Sequence, residues 1–270
     1  MKKVIIFMIL ILLVSSVYAG NKLDDPKKML NKANEYFSKG IESKGEKAVK
    51  KILLATSLFE RLVNEKGIVN GYLFYNIGNC YFKVNQIGKA IFYYRVAEKF
   101  IPSYPDLSLN LHSAISKRKD KITERQIDTL LDAIFFWKNW LDPGTQIVLF
   151  FIFFILIWLS LAVKKFYNAL FLKWFVVTGI VVAFLMSVSL GIVIYEDVHS
   201  TFGTIVLKEV DAKKGPGKTY ESSFQKNLHE GTEFDVVEKQ DEWVHVRLKN
   251  EKECWLPLSA VMINRYRLFK

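Results

Sequence analysis

The sequence predicts a multidomain membrane protein with an α-helical repeat array, a two-helix transmembrane hairpin and a small all-β barrel. Three observations predict it. Two long uncharged apolar runs lie between Ile147 and Tyr195. A stretch ahead of them, from Gly71 to Tyr104, repeats small and aromatic residues at helical spacing. After them, from residue 200 on, short runs alternate apolar and polar residues between glycine, proline and aspartate turn signals.

Residues 1–19 read as a signal peptide. Lys2 and Lys3 form its basic end, Val4 to Val14 its apolar core, and Val17-Tyr18-Ala19 a small-residue cleavage site before Gly20. No cysteine follows the site, so it is not a lipoprotein signal. An apolar core of this length is short for a span.

Residues 20–122 form the helical domain. Asp25-Pro26 pairs an N-cap with a proline at the first helical position, and Met29, Leu30, Ala33, Tyr36 and Phe37 recur at helical spacing. Gly40 is expected to close this helix. A polar, lysine-rich separator, Ile41 to Lys51, is expected before a second helix, Ile52 to Asn64, which lines Ala55, Phe59 and Leu62 along one face. The repeat signature follows, over 71–104: Phe74, Ile77, Gly78, Tyr81, Ala90, Tyr94, Ala97 and Pro102. Gly78 and Ala90 let two helices cross closely, the larger side chains fill the space around the crossing, and Pro102 stops the second helix. This spacing resembles one tetratricopeptide repeat. The upstream pair then reads as a degenerate repeat with an enlarged turn, and Asp106 to Lys119 as a covering helix.

By that resemblance Tyr72, Tyr75, Asn79, Phe82 and Lys83 face a peptide-binding groove. Asn79 would hold a ligand backbone, Lys83 a carboxylate, and the aromatics would supply contact area. The alternative is that these side chains are simply exposed or packed on a neighbouring helix. The charged run Lys117 to Arg125 reads as a solvated helix end or linker, or as a phospholipid contact.

Residues 123–144 are expected to form an amphipathic juxtamembrane helix. It carries Ile127, Leu130, Leu131, Ile134 and Phe135, with Trp137 and Trp140 nearer the membrane. It lies in the interface or packs back on the array. Transmembrane helix 1 covers 145–163, a loop 164–173, and transmembrane helix 2 174–195. A core of ~30 Å needs roughly 20 helical residues, which both runs supply. The loop holds Lys164, Lys165 and Lys173 and no acid, whereas Glu196 and Asp197 follow the second run. The loop is therefore expected on the cytoplasmic side, with both soluble parts across the membrane from it. Gly179, Ala183, Ser187 and Gly191 give helix 2 a small-residue face, for its own partner span or for another helix. No ionisable residue lies within either run, which argues against an ion path.

Residues 200–265 carry the expected strands Thr204 to Lys208, Glu233 to Glu238, Glu242 to Leu248 and Glu253 to Leu256. Phe234/Val236 and Val244/Val246/Leu248 alternate at period two. The order Gly215-Pro216, Leu228, Gly231-Thr232, Val236, Trp243-Val244-His245-Val246 and Trp255-Leu256-Pro257 resembles a bacterial SH3 domain. Ala212-Lys213 and Cys254 depart from that pattern.

No chemistry of catalysis is legible. His112, His199, His229 and His245 are scattered, with none at metal-ligand spacing, so neither a metal nor a cofactor is expected and the chain does not read as an enzyme. His245 reads as an exposed strand residue. Cys80 and Cys254 lie in different domains and read as small buried hydrophobes. The net charge of +11 suits a basic exported protein near anionic lipid rather than a nucleic-acid binder.

The order of parts is similar to that of the BatE family of Bacteroides aerotolerance operons. The resemblance implies a non-enzymatic adaptor of the bacterial inner membrane with two periplasmic modules. Its implied partners are von Willebrand A-domain membrane proteins, linked to a MoxR-type AAA ATPase. A second expectation is a cell-envelope sensor whose SH3 domain binds peptidoglycan.

Overall fold

A computed structural model describes residues 25–122, 135–166, 170–199 and 201–268. They fall into two compact units, one through Val69 and one from Asn70 onward. The expected signal peptide and most of the expected juxtamembrane helix lie outside the described residues.

The first unit is a helical hairpin, α1 (Pro26–Glu42) and α2 (Gly45–Asn64). Asp25 caps α1, its Oδ1 accepting from Lys27 N at 3.0 Å, with Pro26 at the first helical position as the sequence suggested. Met29 and Ala33 pack on a face of α2 that buries Ile52, Ala55, Phe59 and Leu62. Two expectations are corrected. Gly40 does not end α1 but lies beneath the Ile52 side chain, and α1 continues to Glu42. The lysine-rich separator and its enlarged turn are absent, since α2 begins at Gly45 after only Ser43 and Lys44. Glu46, Lys47, Ala48, Lys50 and Lys51 are strong helix formers, and propensity outweighs their polar composition.

The second unit begins with α3 (Gly71–Lys83), α4 (Ile87–Phe100) and α5 (Pro105–Ser116). Asn70 caps α3, accepting from Tyr72 N at 2.9 Å and Leu73 N at 3.3 Å. Asn85 turns the chain at φ 58°, a conformation asparagine tolerates. The helices cross at Gly78, where a Cβ would stand 2.5 Å from the Tyr94 ring. Phe74, Ile77, Tyr81, Ala90, Tyr94 and Ala97 are all buried around that crossing. Pro102 lies just past the end of α4, and α5 covers the pair with Leu107, Leu111 and Ala114.

Helices α6 (Pro143–Lys164) and α7 (Leu170–His199) follow, both long and apolar enough to cross a membrane. They are longer than expected: α6 takes in Lys164, and α7 takes in the last four residues of the predicted loop and runs past Tyr195. Asp142 caps α6 through Thr145 N at 3.0 Å. Val148, Phe151, Ile155, Trp158 and Phe184 point outward and exposed. Among the described residues before α6, Phe136–Asn139 form a 3₁₀ turn, within the stretch 123–144 expected to be one helix. Pro143 disfavours helical backbone at Asp142, which is extended, so α6 starts as a separate helix at Pro143.

The chain then enters β1 (Phe202–Ile205), β2 (Glu209–Val210), β3 (Leu228–His229), β4 (Glu233–Gln240), β5 (Trp243–Leu248), β6 (Glu253–Pro257) and β7 (Val261–Ile263). Five strands form an antiparallel sheet in the order β6-β5-β4-β1-β7, and β2 pairs with β3. Asp241, at φ 49°, turns β4 into β5. A bulge lies between Val236 and Glu238. Phe234, Val244, Val246, Leu248 and Leu256 share one core, as period-two alternation requires. Edge strands β6 and β7 are joined by the three-residue turn Leu258–Ala260. Four inter-strand gaps of a flat sheet measure about 19 Å, more than the ~15 Å that four Cα–Cα steps can reach. The sheet must therefore curl strongly. Among the described residues no ladder joins β6 to β7, so the expected barrel is observed as a curled, open sheet.

Candidate functional site

The five residues predicted to face a groove come together along α3, against α5. Tyr72 and Tyr75 meet the edge of Tyr104 at 5.3 and 5.2 Å. Asn110 Nδ2 donates to Tyr75 Oη and to Asn79 Oδ1, both at 2.9 Å. Asn79 Oδ1 also accepts from Tyr94 Oη at 2.8 Å. Lys117 Nζ stands 4.2 Å from the centroid of the Phe82 ring, and Lys83 is exposed.

This arrangement changes two roles. Both lone pairs of Asn79 Oδ1 are used inside the protein, so it fixes the α3–α4–α5 junction and offers a ligand only its amide N–H group. Burial pushes the Tyr94 hydroxyl pKa up, keeping it a donor at any ordinary pH. Tyr72, 53% exposed, supplies the open aromatic contact area. Tyr104, Asn110 and Lys117 belong to the face and were not predicted. Their signal was available, since Asn110 and Lys117 stand two helical turns apart on one side.

The opposite face of α4 carries the β domain. Gly88 N donates to Glu230 Oε2 at 3.2 Å, and a Cβ on Gly88 would stand 2.3 Å from the carbonyl oxygen of Ile205. Glu233, 6% exposed, accepts from Arg95 Nε at 2.6 Å and from Arg118 Nη1 at 3.3 Å. Burial opposes the Arg95 charge, but Glu233 and then Glu98 outweigh it and hold the guanidinium more firmly protonated. Asp120 accepts from His229 N at 2.6 Å and Thr232 Oγ1 at 2.8 Å, and lies 2.8 Å from His229 Nδ1. Burial raises the Asp120 pKa, yet the hydrogen bonds from His229 and Thr232 prevail and the net shift is downward. The charged run after α5, expected to be solvated or lipid-bound, is thus partly an interdomain contact through Arg118 and Asp120.

A third contact gathers at Asp197, the buried acid near the end of α7. Lys99 Nζ of α4 lies 2.6 Å from its Oδ1, and Leu268 N donates to its Oδ2 at 2.9 Å. Arg267 Nη1 donates to its backbone oxygen. Lys99 Nζ also donates to Tyr266 O at 3.2 Å, and the Tyr266 ring packs on Phe74 at 4.6 Å. Helix α7 runs past Tyr195, the expected end of the second span, to His199.

On α7 the small-residue face splits. Gly179 is buried on Ile157 of α6, whereas Ser187 and Gly191 are exposed and Ser187 Oγ bonds back to Ala183 O at 2.9 Å. Steps of four residues advance about 40° each around a helix of 3.6 residues per turn, so the stripe winds off the contact. A polar relay that the sequence did not announce lies deeper. Trp137 Nε1 donates to Ser189 Oγ at 3.1 Å, and Ser189 Oγ to Gln146 Oε1 at 3.2 Å.

Among the described residues no group of three or more His, Cys, Asp or Glu is placed to hold a metal ion. His245 is not freely exposed; its ring stacks on Trp255 at 4.9 Å. Cys80 and Cys254 are buried, and burial pushes the Cys254 thiol pKa up to about 12. Comparisons with protein-family models, curated proteins and solved structures find no match to this chain.

Proposed function

We propose that this chain is a non-enzymatic membrane adaptor, presenting one peptide-binding face from a short tetratricopeptide-like unit beside an SH3-like domain. The observation that carries the proposal is the division of labour within the α3–α4 hairpin. Its α4 side is occupied by the β domain, while its α3–α5 side leaves Tyr72 and Lys83 open. Aromatic area with a lysine at one end suits a peptide carrying apolar side chains and a carboxylate.

The outward apolar surface of α6 and α7 supports their reading as two transmembrane spans, because monomers in water rarely expose apolar patches of that extent. Lysines between the spans favour a cytoplasmic loop with both soluble parts across the membrane from it; by resemblance to the BatE family, that membrane is the bacterial inner membrane and that side the periplasm. The curled sheet supports the SH3-like reading. By resemblance to the BatE family, the partners we propose are envelope proteins with von Willebrand A domains. Purification of the full chain in mild detergent tests this. Such a protein should co-purify, and Tyr72→Ala/Lys83→Ala should lose it while keeping the fold. Recovery of the chain without any envelope protein would falsify the adaptor reading.

A further inference from the structure

The α3–α5 face has an order along its length that narrows the peptide it would take. Helices α3 and α5 lie side by side with the same ends together. Tyr104, just ahead of α5, meets Tyr72 and Tyr75, while Asn110 meets Tyr75 and Asn79, and Lys117 meets Phe82. At about 100° per residue, Tyr72, Asn79 and Lys83 fall within roughly 40° of one line along α3, and Asp106, Asn110 and Lys117 do the same along α5. Both lines are about 16–17 Å long.

Their two ends differ in charge. Asp106 stands at the tyrosine end, where Tyr104 Oη donates to its Oδ2 at 3.2 Å. Lys83 and Lys117, both exposed, stand at the other. Between the ends the face is richer in donors than in acceptors. Asn79 Oδ1 is filled by Tyr94 and Asn110, which leaves its N–H group to donate. Tyr75 Oη accepts from Asn110, which leaves its own hydrogen to donate. Asn110 has both N–H bonds committed and keeps one acceptor, Oδ1. An extended chain of ordinary residues brings an N–H for every C=O, and here its N–H groups would meet few acceptors. A run of prolines brings C=O groups alone. Tyr104 stands at 76° to Tyr72 and 85° to Tyr75, and an aromatic lining of this kind suits a polyproline II helix. Five steps of such a helix, at ~3.1 Å each, reach about 15–16 Å, close to the length of the two lines.

We propose that the α3–α5 face binds a proline-rich segment of a partner protein in the polyproline II conformation. A basic residue of that segment lies at the Asp106 end and a carboxylate at the Lys83–Lys117 end. The proposal rests on the reading of this face as a peptide-binding one, and adds the class of the ligand's backbone and its polarity.

The test measures fluorescence anisotropy of labelled hexapeptides with the full chain in mild detergent. Arg-Pro-Pro-Pro-Pro-Glu should bind about fivefold more tightly than Arg-Gly-Ser-Gly-Ser-Glu, which keeps the charges but restores the N–H groups and the flexibility. Equal affinities would overturn the proline assignment. Tyr72→Ala, at an exposed position, should weaken the proline peptide about tenfold, and an unchanged affinity would overturn the site. Lys83→Gln should weaken that peptide about threefold and leave a glutamine-ended version unchanged, whereas equal losses would overturn the assigned polarity. If the proline peptide does not bind while Tyr72→Ala/Lys83→Ala still releases the co-purifying envelope protein, the inference alone falls. If that variant keeps the envelope protein, the peptide-binding reading falls and the inference with it.

Discussion

Glu233 holds two guanidinium groups with one nearly inaccessible carboxylate, and its removal is worth more than its bonds suggest. Glu233→Gln would remove the carboxylate that lies between Arg95 and Arg118, leaving Glu98 on the Arg95 side. Breaking a fully buried pair costs ~3–5 kcal/mol. Arg95 is still 27% exposed and keeps Glu98, so the expected loss is smaller, about 2 kcal/mol by urea unfolding. Asp120 adds a pH dependence to the same contact. Its pKa is lower in the folded protein than the ~3.9 of an unfolded chain. Its stabilisation is therefore complete above about pH 5 and is lost as pH falls through the folded value. Urea midpoints at pH 7, 5 and 3 should show the decline, and Asp120→Asn should flatten it; identical slopes for the two proteins would remove Asp120 from the account. Neither residue was legible beforehand. Arg95 and Glu233 are 138 positions apart, and no local spacing announces a pair that only the docked fold creates.

Two glycines separate what holds the helices together from what holds the domains together. A Cβ on Gly78 meets the Tyr94 ring, and a Cβ on Gly88 meets the Ile205 carbonyl oxygen. Gly78→Ala should therefore open the α3–α4 crossing, costing roughly 1–3 kcal/mol from overpacking, offset by up to ~1 kcal/mol of helix propensity. Gly88→Ala should leave the crossing intact and lift the β domain off α4, because a backbone oxygen cannot swing aside as a ring can. Amide exchange distinguishes the two. Gly88→Ala should expose amides of β1 and of the Glu230–Thr232 turn while α3 stays protected, and equal exposure in both regions would count against separate contacts. The role of Gly78 was readable from sequence because its partner is a near neighbour in a repeating pattern. The close approach at Gly88 was not, since its partner is a strand beyond both apolar helices. The start of α2 escaped for a different reason. Its lysines and glutamate read as polar separator by composition, yet they are helix formers whose charged ends stay in solvent.

At the scale of the molecule, the antiparallel α6–α7 hairpin determines which compartments the rest can reach. Gln146 lies against Ser189 and Ile157 against Gly179, so the two helices run back along each other with little offset. If they cross a bilayer, α3–α5 and the β domain must emerge on one side and the basic loop on the other. Cysteine labelling of intact cells with a membrane-impermeant maleimide reads this directly, because both native thiols are buried and the Cys254 pKa, near 12, keeps it protonated. The wild-type chain should then be a dark background. Lys239→Cys, on the exposed end of β4, should label from outside once the outer barrier is permeabilised. Asn168→Cys, in the loop, should label only after the inner membrane is opened. Labelling of both from outside would mean that the hairpin lies against the membrane without crossing it. Labelling of Asn168→Cys alone would invert the topology, leaving the α3–α5 face and the β domain to meet cytoplasmic partners. The contacts at Asp197 would survive that inversion unchanged, since they join parts on the same side of the hairpin. Only the compartment that supplies a peptide to the α3–α5 face would differ.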